Sequence, residues 1–195
     1  MALKLPVVEI FSSIQGEGYW TGRAAVFVRL AGCNLHCGFC DTDHTVKEVL
    51  TVEQICDRVN LISRAIRFVV ITGGEPTSHG FGFDGLVDDL QVQGYLVAVE
   101  TNGCYKFFSA PDWVTVSPKT PFETLKTQKG NELKLLWTSE NEAHSWAKAF
   151  TADYYFIQPI TREGEFTCLT EIMQFLRDNP EWRLSVQLHR ILGVR

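Results

Sequence analysis

AAVFVRLAGCNLHCGFCDT, residues 24–42, runs an almost unbroken apolar segment straight into three cysteines, Cys33, Cys37 and Cys40. An apolar run of this length, ended by glycine, is the pattern of a strand buried on both faces. After the first run at 24–31, similar ones recur at 67–74 (RFVVITGG), 95–103 (YLVAVETNG), 113–119 (WVTVSPK), 154–160 (YYFIQPI) and 183–189 (RLSVQLH). Between them the apolar period changes to that of a helix. Val52, Ile55, Cys56, Val59 and Ile62 share one helical face, with Thr51 as N-cap and Gln54 at the capping-box position. Further helices are predicted over Phe83 to Gln93, Ser139 to Phe150 and Leu169 to Asp178, the last stopped by Pro180. Alternating strands and helices predict an α/β fold of mostly parallel strands joined by right-handed crossovers, as an open sheet or a barrel-like curl. Functional loops then gather at the C-terminal ends of the strands, where the cysteines already lie.

The chain has 195 residues and is 45% hydrophobic, without repeats or a linker-like stretch, so a single domain over 1–195 is expected. A net charge of -5 argues against a nucleic-acid surface, which needs clustered cations, and favours a small-molecule substrate. There is no apolar run of about 18 residues to span a membrane, and Glu9 comes too early for a secretory signal. A cytoplasmic location is the expectation. Three of the six cysteines fall within eight residues and the rest are scattered, which favours metal ligation over a disulfide framework. Cys56, Cys104 and Cys168 read as packing residues, because a free cysteine behaves as a small hydrophobe.

Three thiolates on one short loop can converge on a metal centre. Structural zinc wants four protein ligands; only His36 and His44 lie close enough to be considered, and not at zinc-finger spacing. A 4Fe-4S cluster held by three thiolates keeps one iron open to an outside ligand, so the lack of a fourth cysteine is informative. CxxxCxxC with an aromatic residue before its last cysteine, here Phe39, resembles the cluster loop of radical S-adenosylmethionine enzymes. TGGEP, at Thr72 to Pro76, resembles the glycine-rich segment with which that superfamily holds the amino group of S-adenosylmethionine. The resemblance implies that the cofactor carries the hard chemistry while the protein supplies orientation and exclusion of water.

Ile10 to Thr42 is also similar to the N-terminal region of the 7-carboxy-7-deazaguanine synthase family, through QGEG (Gln15 to Gly18) and the arginine four residues before the first cysteine. VSPK at Val116 to Lys119, the pair Gln158 and Pro159, and the terminal VQLHRILGVR extend the likeness. It implies conversion of 6-carboxy-5,6,7,8-tetrahydropterin to 7-carboxy-7-deazaguanine with loss of ammonia, on the route to queuosine. It assigns Ile14, Gln15, Gly16, Arg29, Thr72 and the C-terminal Arg195 to the substrate. Phe39, Cys40, Asp41, Gly74, Ser117, Pro118, Lys119 and Gln158 go to S-adenosylmethionine, and Thr42 to Mg2+. A guanidinium at Arg29 suits the substrate carboxylate. A hydroxyl oxygen at Thr42 suits a hard, partly hydrated cation. Glu17 reads either as a site residue or as a solvated loop carboxylate, and His189 as a strand-end residue of a tail that folds over the substrate. The implied architecture is an incomplete, trimmed (β/α) barrel of the radical enzyme type, with a homodimer covering its open side and flavodoxin or ferredoxin as electron donor. The competing readings are a glycyl-radical activating enzyme, a four-cysteine electron carrier and a zinc-stabilised binding module.

Overall fold

The apolar runs and helical stripes become sheet and cover. The computed structural model describes residues 2–40, 42–62, 64–162 and 165–195. In chain order the elements are β1 (Lys4–Ile14), β2 (Ala24–Leu30), β3 (Glu48–Thr51), α1 (Val52–Ile62), β4 (Phe68–Gly73), α2 (Phe81–Val92), β5 (Leu96–Thr101), β6 (Trp113–Val116) and β7 (Lys129–Leu136). Then follow α3 (Glu140–Ala149), β8 (Thr151–Gln158), the ribbon strands β9 (Thr161–Arg162) and β10 (Glu165–Phe166), α4 (Leu169–Asp178), β11 (Trp182–Leu184) and α5 (Leu188–Ile191). The main sheet has nine strands in the order β11-β8-β7-β6-β5-β4-β2-β1-β3. From β2 to β11 every pairing is parallel, whereas β1 lies antiparallel between β2 and β3. Because β3 and β11 do not pair with each other, the sheet stays open, the incomplete barrel of the sequence reading.

Alternation along each strand sorts residues to two faces. On β4, Val69 and Ile71 join the core beneath α1 and α2, which continues through Val26, Val28, Val97 and Val99. A second core under α3 and α4 gathers Leu133, Leu135, Trp146, Ile157, Ile172 and Phe175. On the opposite face Phe27, Phe68, Val70, Ala98 and Trp113 close one end of the trough, with Trp20 and Tyr154 packed against them. Tyr19 stacks on Trp113 and packs tilted against Tyr154, at centroid distances of 4.7 and 4.5 Å, and plugs that end with an aromatic cluster. Apolar burial thus seals the strands' N-terminal half and leaves the C-terminal half for chemistry.

Several expectations need correcting. β1, β3 and β7 are not read from the sequence as strands. Glu132 and Lys134 of β7 are buried inside the trough, and these charges disguise the apolar alternation of Leu133 and Leu135. The run 183–189 is not one strand. β11 pairs only with β8 and stops at Leu184, after which Ser185 N–H still bonds Ile157 O (2.8 Å). The chain then turns into α5, anchored by Leu188 N–H on Gly16 O (3.0 Å), so His189 lies on a helical turn and not on a strand end. The helix placed at Phe83 starts at Phe81. Cys56 is buried as expected, but Cys168 is exposed, left-handed (φ 57°) and outside any core. The capping box at α1 is present: Gln54 N–H donates to Thr51 Oγ1 (3.2 Å) and Thr51 N–H to Gln54 Oε1 (2.8 Å).

Candidate active site

A cavity of about 740 Å3 opens at the C-terminal ends of the parallel strands. Its wall includes Ile14, Gln15, Arg29, Cys33, Cys37, Phe39, Cys40, Thr42, Thr72, Gly74, Ser117, Lys119, Gln158 and Arg195, so most residues singled out in the sequence meet in one place. Gly16 and Pro118 do not line it, and Asp41 lies outside the described residues. Glu17, Glu100, Lys134 and His189 also face the cavity. Glu100 and Lys134 had no motif to mark them as binding residues.

The cysteine loop leaves β2 and is held at its base, by Gly32 N–H on His44 O (2.9 Å) and Lys47 N–H on Val7 O (3.0 Å). The glycines of TGGEP approach the chain's own backbone. A Cβ on Gly73 would lie 2.0 Å from Leu30 O, and one on Gly74 would lie 1.9 Å from Gly32 O and 3.0 Å from the Cys33 Cβ. They let the end of β4 lie flush against the cysteine loop. Glu75, fully buried, organises the junction: Oε1 accepts from Thr77 N (3.0 Å), Thr77 Oγ1 (2.5 Å) and Thr101 Oγ1 (2.7 Å), and Oε2 accepts from Asn102 N (2.6 Å). Asn102 Nδ2 then donates to Asn34 Oδ1 (2.9 Å), tying the loop to β5.

Whether this loop suits a 4Fe-4S cluster is decided by its donors. Three free thiols share the cavity wall, with Thr42 beside Cys40. Among the described residues, no three His, Cys, Asp or Glu side chains already stand in metal-holding geometry. Burial pushes the Cys33 thiol up, and Glu75, Cys37 and Cys40 push the same way against the Leu35 N–H. Gathering three thiolates there calls for a cationic centre, and sulfur donors suit iron. The donor set fits.

QGEG is the other organising element. Gln15 Nε2 donates to Glu100 Oε1 (2.9 Å), and Gln15 Oε1 accepts from Glu17 N (3.2 Å). A Cβ on Gly16 would meet the His189 ring at 1.9 Å. Gly18 takes a left-handed φ of 64°, and a Cβ there would lie 2.0 Å from Glu132 Oε1; its N–H donates to Ser185 Oγ (3.1 Å). Glu17 is no solvated carboxylate: it ion-pairs with Lys134 and accepts from Gln158 Nε2 (3.4 Å). The Gln158 Oε1 accepts from Ser185 Oγ (2.9 Å), so this side chain braces the QGEG loop from β8. Thr72 Oγ1 donates to Glu100 Oε2 (3.1 Å).

Charge is concentrated beneath this floor. Burial alone would raise the Glu17 carboxyl, but the charge and hydrogen bond of Lys134, helped by Gln187 and His189, hold it down at about 2. Burial works against the Lys134 ammonium too, yet Glu100, Glu17 and Glu132 hold its pKa above the ordinary lysine value. Burial pushes the Lys119 ammonium down to about 8, with Lys134 acting in the same sense; its Nζ donates to Ser117 O (2.9 Å) and Oγ (2.6 Å). At the cavity mouth Arg29 Nε meets Glu9 Oε1 at 3.1 Å, while Arg195 pairs with the other Glu9 oxygen and stacks over Phe11.

Glu132 lies below the floor, 2% exposed, and accepts from Tyr19 N (3.1 Å). Burial pushes its carboxyl up from 4.5 to about 7, against the opposing pull of Lys134. A carboxyl raised on folding contributes stability that is complete below pH 4.5 and is lost as pH climbs through about 7. Glu132→Gln removes this dependence. Relative to the variant, the wild type is expected to lose on the order of 3 kcal/mol of unfolding free energy between those limits. Urea denaturation at several pH values checks it, and parallel curves for the two proteins would refute the account.

Comparison with known proteins agrees with this site. Residues 28–137 match the Radical SAM superfamily. Over 187 residues the chain is 37% identical to the 7-carboxy-7-deazaguanine synthase of Bacteroides thetaiotaomicron, covering 96% of this chain and 97% of that one. The synthase of Bordetella pertussis is 34% identical over 208 residues, with 96% and 98% covered. The crystal structure of QueE from Escherichia coli overlays with a TM-score of 0.79 at 29% identity, covering 95% of each chain. With cysteine loop, glycine-rich strand end and QGEG brace on one cavity, and relatives matched along nearly the whole length, the chain belongs to the 7-carboxy-7-deazaguanine synthase family within the radical S-adenosylmethionine superfamily.

Proposed function

We propose that this protein converts 6-carboxy-5,6,7,8-tetrahydropterin to 7-carboxy-7-deazaguanine with loss of ammonia, serving queuosine-type deazapurine synthesis. The observation that carries the reading is the pairing, in one cavity, of a three-cysteine loop with an opposite wall suited to a carboxylated pterin. Arg29 offers a guanidinium to the substrate carboxylate, and Gln15, Thr72 and Glu100 offer a hydrogen-bonding floor to the pterin ring. Cys33, Cys37 and Cys40 hold the cluster; Phe39, Gly74, Ser117, Lys119 and Gln158 serve S-adenosylmethionine, and Thr42 gives one oxygen to Mg2+. Cluster and S-adenosylmethionine together supply hydrogen-atom abstraction when bound. The protein's part is to orient the substrate between Arg29 and the floor and to keep water out. The aromatic plug of Tyr19, Trp113 and Tyr154 closes the far end of the trough. The C-terminal tail, with Arg195 on Glu9, covers the mouth. The working form is a single-domain cytoplasmic homodimer reduced by flavodoxin or ferredoxin. No described helix is long and apolar enough to cross a membrane.

Anaerobic incubation with the pterin, S-adenosylmethionine and dithionite, read by mass spectrometry, tests the assignment. The deazaguanine acid, ammonia and 5'-deoxyadenosine are expected; 5'-deoxyadenosine without the deazaguanine would overturn it. Arg29→Ala is expected to lower kcat/KM by about 100-fold or more, through KM, because the substrate carboxylate loses its partner. An unchanged KM would remove Arg29 from the substrate site.

A further inference from the structure

Lys134 is 5% exposed, rises from the middle of β7 and faces three carboxylates from three parts of the chain. Its Nζ pairs with Glu17 of the QGEG loop and lies 3.8 Å from Glu100 Oε1 on β5, while Glu132 stands two residues before it on its own strand. A lysine in such a place invites a role in proton transfer. Its surroundings oppose that role, since the carboxylates hold the ammonium charged across the whole physiological range. Both oxygens of Glu17 are engaged, by Lys134 and by Gln158. Glu100 differs. Its side chain is 25% exposed to the cavity, and Gln15, Thr72 and the Lys134 charge leave acceptor capacity on a carboxylate that has about four lone-pair sites.

We propose that Lys134 is a positioning residue for the substrate, pairing with Glu17 in the QGEG brace and with Glu100 on β5, so that Glu100 is held in place to present an acceptor oxygen to an N–H edge of a pterin-like ring. The inference rests on the proposed function and adds the residue that fixes the floor in position. Without the ammonium, Glu17 and Glu100 lose the cation they share, and one carboxylate turns away from the other. The acceptor oxygen then leaves its place on the floor, and recognition of the ring's N–H edge fails. The charged and titratable groups around this pair are Lys134 and Glu132 from β7, Lys119 from the loop after β6, and His189 from α5. Lys134 makes direct ion pairs with both Glu17 and Glu100.

The test compares wild-type, Lys134→Met and Lys134→Arg holoenzymes, reading KM and kcat for the carboxytetrahydropterin and 5'-deoxyadenosine formed without substrate. For Lys134→Met, KM is expected to rise at least about tenfold, with substrate-free 5'-deoxyadenosine formation within about twofold of wild type. Lys134→Arg keeps the charge and brings KM back to within about threefold of wild type. A Lys134→Met enzyme with wild-type KM overturns the proposal. Should that variant fail to hold its cofactors, adding Glu17→Gln removes the uncompensated charge; a raised KM in the double variant supports the proposal, and a wild-type KM overturns it. If the wild type itself does not turn over the pterin, it is the substrate reading that fails, a different outcome from an indifferent Lys134.

Discussion

Cys37→Ala is expected to lose its iron and at least about three orders of magnitude in turnover while the protein stays folded. The thiol is partly exposed on the loop between β2 and β3 and belongs to none of the apolar cores, so its removal leaves no buried void. Its loss leaves two cysteines on that loop. Two protein thiolates cannot hold four irons in place while one iron stays available to a donor from outside. Iron content, visible absorbance and 5'-deoxyadenosine formation should fall together, with an unchanged denaturation midpoint in the iron-free protein. Cys168→Ser is the matching control: it is exposed and remote from the cysteine loop in sequence, and iron content should not change. Full iron loading and product from Cys37→Ala would break the cluster assignment.

The second large effect is expected at Glu75, a residue that does not line the cavity. Glu75→Gln should destabilise the protein by about 3 kcal/mol or more, lowering Tm by roughly 8 °C. The Glu75 carboxylate accepts every hydrogen bond described at it, and two of the donors are backbone N–H groups, of Thr77 and Asn102. The hydroxyls of Thr77 and Thr101 can rotate to become acceptors; the backbone cannot. One half of a glutamine amide would therefore turn its NH2 towards an N–H, in a site with no exposure to water. Displacing Asn102 also slackens its bond to Asn34, so the cluster should be lost faster on exposure to air than in the wild type. Calorimetry and the decay of cluster absorbance read the two consequences separately, and a Glu75→Gln protein with wild-type Tm would contradict the network.

Legibility followed the range over which each interaction acts. The strands β2, β4, β5 and β8 are written in nearly continuous apolar runs because the sheet is covered on both faces, and α1 was marked by its stripe and its capping box. β7 was hidden for the opposite reason. Its inward positions hold Glu132 and Lys134, so the residues that matter most for the floor erased the pattern that would have disclosed the strand. β1 carries Pro6 and a polar half, and it pairs antiparallel at the sheet margin, where burial writes a weaker signal. The final turn is not legible in the sequence because RLSVQLH suits a strand locally, but past Leu184 the QGEG loop offers the chain a better partner than the sheet.

The sequence by itself determined the cluster chemistry, since three thiols within eight residues need no tertiary contact to be recognised, and the alternation of strand and helix that sets the fold class. Tertiary structure alone decided what the charged residues do. Glu17 and Lys134 are separated by 117 positions, Glu9 and Arg195 by 186, and only a curled sheet brings each pair together, the first of them in a setting dry enough for charge to orient a ligand. Local spacing reveals ligands that act as neighbours along the chain; electrostatic partners depend on burial and distance, which one-dimensional order does not carry.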